Sequence, residues 1–159
     1  MKPINIVSRV GAQLRPHWGY MKQFSLRIPI DPVAKARPRF TRTGHTYTPS
    51  KTKTYEKAIG EYWEQATQGF KFEREQAVCV NVAFGLPIPK SASKRKKEDM
   101  INGTIKHTKK ADVDNLLKAV LDGLNGIAWA DDSQVIRVCA SKEYSTEPYV
   151  YLYVHESVD

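Results

Sequence analysis

Residues 111–125 read ADVDNLLKAVLDGLN, a stretch that combines a helical hydrophobic pattern with acidic side chains. Its apolar residues recur at the three- and four-residue spacing that places them on one face of an α-helix. They are Val113, Leu116, Leu117, Val120, Leu121 and Leu124. Gly126 follows in the position where helices commonly end. The pattern predicts an amphipathic helix that starts at Asp112, runs to about Asn125 and packs its apolar face on a core.

The segments around this helix predict the rest of the fold. Alternating apolar and polar side chains predict strands over residues 24–30, 78–84, 135–140 and 149–155. A second helical pattern starts at Ser50, which we expect to cap it, and ends at about Gln68. The predicted order β, α, β, α, β, β indicates an α/β fold in the mixed α+β sense. Two main helices would then pack on a small mixed sheet of about four strands.

The remaining segments predict one domain with basic loops. A length of 159 residues fits a single domain. Residues 1–21 show no periodicity, so we expect a loosely attached leader before a domain over residues 22–159. Residues 32–49 and 90–110 are basic and rich in turn-forming residues, which predicts loops. Trp129 is expected in the core, where it would position the turn that follows it.

Composition excludes several classes of protein. Hydrophobic residues make up 41% of the chain and charged residues 26%, which excludes collagen-like and wholly disordered chains. No apolar run is long enough to span a membrane, and the N-terminus lacks the apolar region of a signal peptide, so we expect a cytoplasmic protein. Cys79 and Cys139 are too few for a disulfide scaffold and are expected to be reduced core residues.

Charge is distributed unevenly along the chain. The net charge is +8, which suggests a polyanionic partner such as nucleic acid, although many soluble proteins are mildly basic. Residues 1–51 contain ten basic side chains and one acidic side chain, and residues 90–110 contain eight and two. Residues 111–132 contain five aspartates and one lysine. A basic protein with a small acidic centre suits a metal-dependent enzyme that acts on phosphodiesters.

The acidic centre has a spacing that suits a divalent cation. Asp112 and Asp114 lie at the start of the predicted helix, and Asp131 and Asp132 lie in the turn before the next strand. Mg²⁺ takes oxygen ligands and retains several waters, so two or three carboxylates suffice to hold it. Lys118, one helical turn after Asp114, could orient a hydrolytic water or neutralise a phosphate.

Each of these features also has a purely structural interpretation. The first aspartates could cap the helix and complement its dipole. Asp114 and Lys118 could form an ordinary salt bridge within the helix. Residues 131–132 could be a plain turn. The residue pattern by itself leaves these alternatives open.

Residues 112–118 (DVDNLLK), Asp122 and residues 131–134 (DDSQ) together resemble the RusA family of Holliday junction resolvases. Residues 32–39 (PVAKARPR) and 87–94 (PIPKSASK) extend the resemblance, which covers about residues 22–155. The resemblance implies a homodimeric nuclease that acts in DNA recombination and repair, often encoded by phages. Such an enzyme nicks two opposed strands of a four-way DNA junction symmetrically with Mg²⁺, for which Mn²⁺ is the alternative cation. Alanine at position 111 departs from the proline expected in closer relatives.

The resemblance also implies roles for individual residues. Asp112, Asp114 and Asp132 would be catalytic metal ligands, and Lys118 would be the catalytic lysine. Asn115, Asp122 and Asp131 would support the geometry of the site. DNA would be bound by basic residues of the two loops: Lys35, Arg37, Arg39, Arg42, Lys94, Arg95, Lys96, Lys97, Lys109 and Lys110.

Two other functions remain open at this point. One is a nuclease for other branched DNA. The other is a junction-binding protein without catalytic activity, whose aspartates only adjust the electrostatics. The basic loops could also be solvated segments that make no fixed contacts.

Overall fold

The computed structural model describes residues 21–36, 39–40, 46–47 and 49–157, with side chains described in residues 21–36 and 49–157. The helices are α1 (Ser50–Thr67), α2 (Lys94–Ile101) and α3 (Val113–Leu124). A single 3-10 turn, Asp132–Gln134, separates α3 from the next strand. The strands are β1 (Gln23–Ile28), β2 (Arg39–Phe40), β3 (Thr46–Tyr47), β4 (Val78–Pro87), β5 (Val135–Ser145) and β6 (Tyr149–Glu156).

The sheet is mixed, as the sequence predicts. In the described part of the chain, its strands follow the order β1-β6-β4-β5, and β2 and β3 form a separate two-stranded ribbon. β6 is antiparallel to both β1 and β4, whereas β4 and β5 are parallel. One hydrophobic core joins the sheet to α1 and α3, which pack against each other. The predicted mixed α+β fold is confirmed.

Helix α3 has the predicted amphipathic character, with one correction. Leu116, Val120 and Leu124 are fully buried. A Cβ atom at Gly123 would lie 2.7 Å from the carbonyl oxygen of Glu56, so glycine here allows α1 and α3 to approach closely. Val113 was expected on the buried face but is exposed, because the first turn of the helix projects beyond the core.

The ends of several elements differ from the predictions. β4 continues beyond Gly85 to Pro87, and β5 continues to Ser145, because the two strands pair in parallel over this whole length. Ser50 does not cap α1. Pro49 occupies the N-cap position, no side chain caps the helix, and Ser50 is its first residue.

Two further predictions in the core and loops are wrong. Residues 90–110 contain helix α2, which begins where the hydroxyl of Ser93 accepts a hydrogen bond from the backbone N–H of Lys96. Only Met100 of α2 is buried, so this helix has no apolar stripe that a sequence pattern could reveal. Cys79 is buried as expected, but Cys139 is exposed because it lies on the outermost strand.

Some predictions fall on parts of the chain outside the described residues. The expected leader is one, since only Met21 of residues 1–21 is described. Arg37 and Arg42 also lie outside, and Arg39 is described only as part of the backbone of β2. None of the described helices is both long and apolar enough to cross a membrane.

Candidate active site

The first turn of α3 presents two carboxylates to solvent. Asp112 occupies the N-cap position with an extended backbone, but its side chain makes no capping hydrogen bond. Asp114 lies in the first helical turn, and both residues are exposed. In the described part of the chain, neither carboxylate forms a salt bridge. Capping therefore does not account for Asp112, and both carboxylates remain available to a ligand.

The backbone before α3 has an unusual conformation. Ala111 has a φ of 85°, in the left-handed region that residues other than glycine rarely adopt. The ammonium group of Lys142, on β5, donates hydrogen bonds to the carbonyl oxygens of Ala111 at 2.9 Å and Lys109 at 3.1 Å. Strained residues persist where the surroundings hold them, and such positions cluster at functional sites. Proline cannot adopt this φ, so the backbone approach to Asp112 differs from that of a chain with proline here.

Lys118 extends from the same helix. Its side chain is 65% exposed, and its ammonium lies 4.0 Å from one carboxylate oxygen of Asp122. A salt bridge this long and exposed contributes little to stability. The Lys118 charge is therefore available to an anion near Asp114, and Asp122 lies one turn further along the helix.

Lys35 was expected to bind DNA, but the structure places it in an internal ion-pair cluster. Its ammonium lies 2.8 Å from the second carboxylate oxygen of Asp122 and also bonds to Glu56 of α1. Its backbone N–H donates to the carbonyl oxygen of Asn115 at 2.8 Å. Burial lowers the pKa of Lys35, but hydrogen bonds to Asp122 and Glu56 outweigh that effect and raise it. Lys35 thus joins its loop to α1 and α3.

The second pair of aspartates lies in a turn fixed by hydrogen bonds. The carboxylate of Asp131 accepts from the backbone N–H of Ser133 at 2.9 Å. Hydrogen bonds from Ser133 lower the pKa of Asp131, so this residue acts as a charged cap. Asp132 is exposed, and one of its carboxylate oxygens accepts from the indole N–H of Trp129 at 3.2 Å. The prediction that buried Trp129 positions this turn is confirmed.

Gln134 is a positioning residue to which sequence reasoning assigned no role. It is buried, and its side-chain oxygen accepts from the backbone N–H groups of Ala130 and Asp131 at 2.7 and 3.2 Å. Its side-chain nitrogen donates to the carbonyl oxygens of Glu73 and Gln76 at 2.6 and 3.1 Å. The signal in the sequence was its place in the motif at residues 131–134 (DDSQ).

The two acidic pairs lie at opposite ends of α3. Asp112 is at its N-terminus, whereas Trp129 forms a bridge with Asn125 at its C-terminus and holds Asp132. A helix of 12 residues is about 18 Å long. Consistent with this separation, the described residues contain no group of three His, Cys, Asp or Glu side chains that could hold a metal ion. One chain therefore brings Asp112 to Asp114, but not to Asp132.

Basic side chains are concentrated in the segment that precedes the first acidic pair. Lys109 and Lys110 precede α3 directly and are exposed. The basic residues of α2 are Lys94, Arg95, Lys96 and Lys97, of which the first three are exposed and the last is half-buried. A cleft of about 280 Å³ separates the end of α2 and the following loop from β5. His107 lines this cleft, and its pKa is lowered by burial and by the charge of Lys142, which favours the neutral form of the ring.

Comparison with known proteins agrees with the resemblance of the motifs. The family model described as "Endodeoxyribonuclease RusA" matches residues 29–155. A protein of Bacillus subtilis (strain 168), named "Uncharacterized protein YqaN", is 36% identical over 129 residues. That alignment covers 79% of this chain and 91% of the relative. A match over most of the chain, in a fold that presents the motif aspartates on its surface, shows that the protein belongs to the RusA family of endodeoxyribonucleases.

Proposed function

We propose that this nuclease is a Mg²⁺-dependent endonuclease that resolves Holliday junctions by symmetric, paired nicks. The observation that carries the proposal is the start of α3. There, two exposed carboxylates form no salt bridge with any described residue, a lysine follows one turn later, and exposed lysines precede them in the chain. Basic residues bind the DNA backbone, and carboxylates hold the cation that hydrolysis of a phosphodiester needs.

The carboxylates suit a hard divalent cation. Asp112 and Asp114 supply oxygen ligands, which Mg²⁺ prefers and Mn²⁺ also accepts. When bound, the cation would activate a hydrolytic water and neutralise charge on the reacting phosphate. Lys118 holds the scissile phosphate near these carboxylates. Lys109, Lys110 and the basic residues of α2 bind the adjoining DNA backbone.

The separation of Asp132 from Asp112 supports a homodimer. If Asp132 is the third ligand, the structure of one chain leaves it at the wrong end of α3. A second copy related by two-fold symmetry would supply its own Asp132 to the first copy and receive the first copy's Asp132 in return. Two equivalent sites would follow, as paired nicks in a nearly two-fold junction require.

Cleavage of a labelled four-way junction, beside a linear duplex of the same sequence, tests the activity. We expect paired nicks in the junction alone, with Mg²⁺ or Mn²⁺, and none with a chelator. Binding of the junction without cleavage under either metal would favour the junction-binding protein. Equal cleavage of flaps and forks would favour a nuclease for branched DNA in general.

Mixing two inactive variants tests whether sites are shared between subunits. Asp112→Asn and Asp132→Asn are each expected to abolish cleavage. In a mixed dimer, one site would carry both substitutions and the other would carry neither, so nicking of one strand should return. If each site lay within one chain, the mixture would stay inactive. Mixing either variant with itself under the same conditions is the matched control.

A further inference from the structure

Lys118 has two carboxylates within reach on its own helix. Asp114 lies four residues before it and Asp122 four residues after it, and side chains at this spacing are neighbours on one face of a helix. The ammonium of Lys118 is 4.0 Å from a carboxylate oxygen of Asp122, and the described residues show no ion pair between Lys118 and Asp114. Lys118 can hold a phosphate beside Asp114 only while Asp122 does not hold its ammonium group.

Asp122 has a second and closer lysine partner. The ammonium of Lys35 lies 2.8 Å from one carboxylate oxygen of Asp122, and that of Lys118 lies 4.0 Å from the other. The side chains of Lys35 and Asp122 are 19% and 25% exposed, whereas that of Lys118 is 65% exposed. Salt screens an exposed ion pair more than a partly buried one. Within a helix, a lysine that precedes its acidic partner is also the weaker order. Asp122 is therefore neutralised by Lys35 rather than by Lys118.

Contacts with α1 and α3 fix Lys35 in this position. Its ammonium also donates a hydrogen bond to Glu56 of α1, and its backbone N–H donates to the carbonyl oxygen of Asn115 at 2.8 Å. Lys35 and Lys118 thus supply two positive charges against the two negative charges of Glu56 and Asp122. Without the charge of Lys35, Lys118 would be the remaining ionic partner of Asp122 among the described residues.

We propose that Lys35 is a positioning residue of the nuclease. By neutralising Asp122, it leaves the ammonium of Lys118 free to hold the scissile phosphate beside Asp114. Lys35 itself does not touch the DNA, because a phosphate contact would require its ammonium to leave both Glu56 and Asp122. This inference rests on the proposed function, since it specifies how the site keeps its lysine available.

A double-mutant cycle on junction cleavage tests this role. Lys35→Met removes the charge but keeps the backbone hydrogen bond to Asn115. In the otherwise wild-type chain it should slow single-turnover cleavage by about three- to fivefold, because Asp122 then captures Lys118. In a chain that already carries Asp122→Asn, the same substitution should change the rate by less than about twofold, since no carboxylate remains there to capture the lysine. Equal slowing in both chains would overturn the proposal, because a DNA contact or a purely structural role of Lys35 predicts that result.

Lys57 on α1 offers a matched control. It forms a salt bridge with Glu61 at 3.5 Å, and both side chains are exposed. Lys57→Met removes the same charge from the protein, so cleavage should stay within about twofold of the wild-type rate. Slowing equal to that of Lys35→Met would contradict the proposal, since any lost lysine would then suffice. Circular dichroism checks folding, and Lys35→Gln, which keeps a hydrogen-bond donor without the charge, replaces Lys35→Met if that variant does not fold.

A second cycle measures the same competition without cleavage. Urea unfolding of Lys118→Met, Asp122→Asn and the double variant gives the coupling between Lys118 and Asp122, as a ratio of unfolding equilibrium constants. In the wild-type chain this ratio should be close to one. In a chain that carries Lys35→Met it should rise to about threefold or more, because the two residues then pair directly. A ratio that Lys35→Met leaves unchanged would show that Lys35 does not keep Asp122 from Lys118.

The two cycles separate this inference from the proposed function. A protein that resolves junctions but whose coupling between Lys118 and Asp122 does not respond to Lys35→Met would keep its proposed function and refute the role of Lys35. A protein whose coupling rises as expected but which cuts no junction would refute the proposed function, and the competition of the two lysines for Asp122 would stand.

Discussion

Each acidic pair of this protein consists of two aspartates close together in the sequence, but the two pairs differ in how their carboxylates are hydrogen-bonded. In the turn before β5, the carboxylate of Asp131 accepts a hydrogen bond from the backbone N–H of Ser133, and that of Asp132 accepts one from the indole N–H of Trp129. The buried side chain of Gln134 forms hydrogen bonds with four backbone groups. At the start of α3, by contrast, the carboxylates of Asp112 and Asp114 form neither a cap nor a described salt bridge.

The turn at residues 131–134 is therefore a structural element fixed by its own hydrogen bonds, whereas the carboxylates at the start of α3 are available to a ligand. Polar groups that are satisfied within the protein stabilise the fold, whereas exposed and unpaired charges near each other cost stability and await a ligand. Substitutions at the start of α3 should therefore affect catalysis with little loss of stability. Substitutions in the turn should affect stability, or should affect catalysis through the position of Asp132.

The largest effect is expected at the open pair. Asp114→Asn should lower the rate of junction cleavage by about 10³-fold or more, the scale seen when a group that stabilises the transition state is removed. Junction binding should stay equal or tighten, because one negative charge near the phosphates is gone. Single-turnover cleavage and a gel-shift titration measure the two quantities. A variant that cuts normally would remove Asp114 from the site.

In the turn, the largest effect is expected on stability. Gln134→Ala leaves two carbonyl oxygens and two N–H groups without their partner, so we expect a loss of about 3 kcal/mol. For a chain of this size that corresponds to roughly 6–12 °C in melting temperature. Exposed Gln65 on α1 offers a control, since Gln65→Ala should change stability by less than about 0.5 kcal/mol. Similar melting of both variants would contradict the role assigned to Gln134.

Trp129 lies in the core and holds the carboxylate of Asp132 in the turn before β5. Trp129→Phe keeps most of the buried ring and removes the N–H that holds Asp132, so cleavage should fall by about 10- to 100-fold. The stability loss should be smaller than that of Gln134→Ala, on the order of 1 kcal/mol for one hydrogen bond. Cleavage measured over a range of metal concentrations distinguishes this role, because a displaced ligand should raise the Mg²⁺ requirement. An unchanged requirement would mean that Trp129 is only a core residue.

Local sequence patterns predicted much of the fold and the residues of both pairs. The apolar spacing of α3 and the alternation of the strands reflect burial, which a periodic sequence records directly. Helix α2 was missed because it buries only Met100, and exposed Cys139 was misplaced because alternation does not reveal which strand is outermost. The separation of Asp112 from Asp132 depends on how α3 lies relative to β5, which neither segment encodes alone.

The smallest effect is expected from substitution of Ala111, which tests how the backbone before α3 positions Asp112. Ala111→Gly relieves the left-handed strain at a φ of 85°, and this relief should exceed the added entropy of the unfolded chain, for a net gain of up to about 1 kcal/mol. Ala58→Gly, within α1, is the matched control and should destabilise by about 1 kcal/mol because its backbone is helical. Thermal unfolding compares the two. If both substitutions destabilise equally, Ala111 carries no strain, and Lys142 holds a relaxed backbone. If Ala111→Gly stabilises the fold but slows cleavage, the strained residue is what keeps Asp112 in place for a ligand.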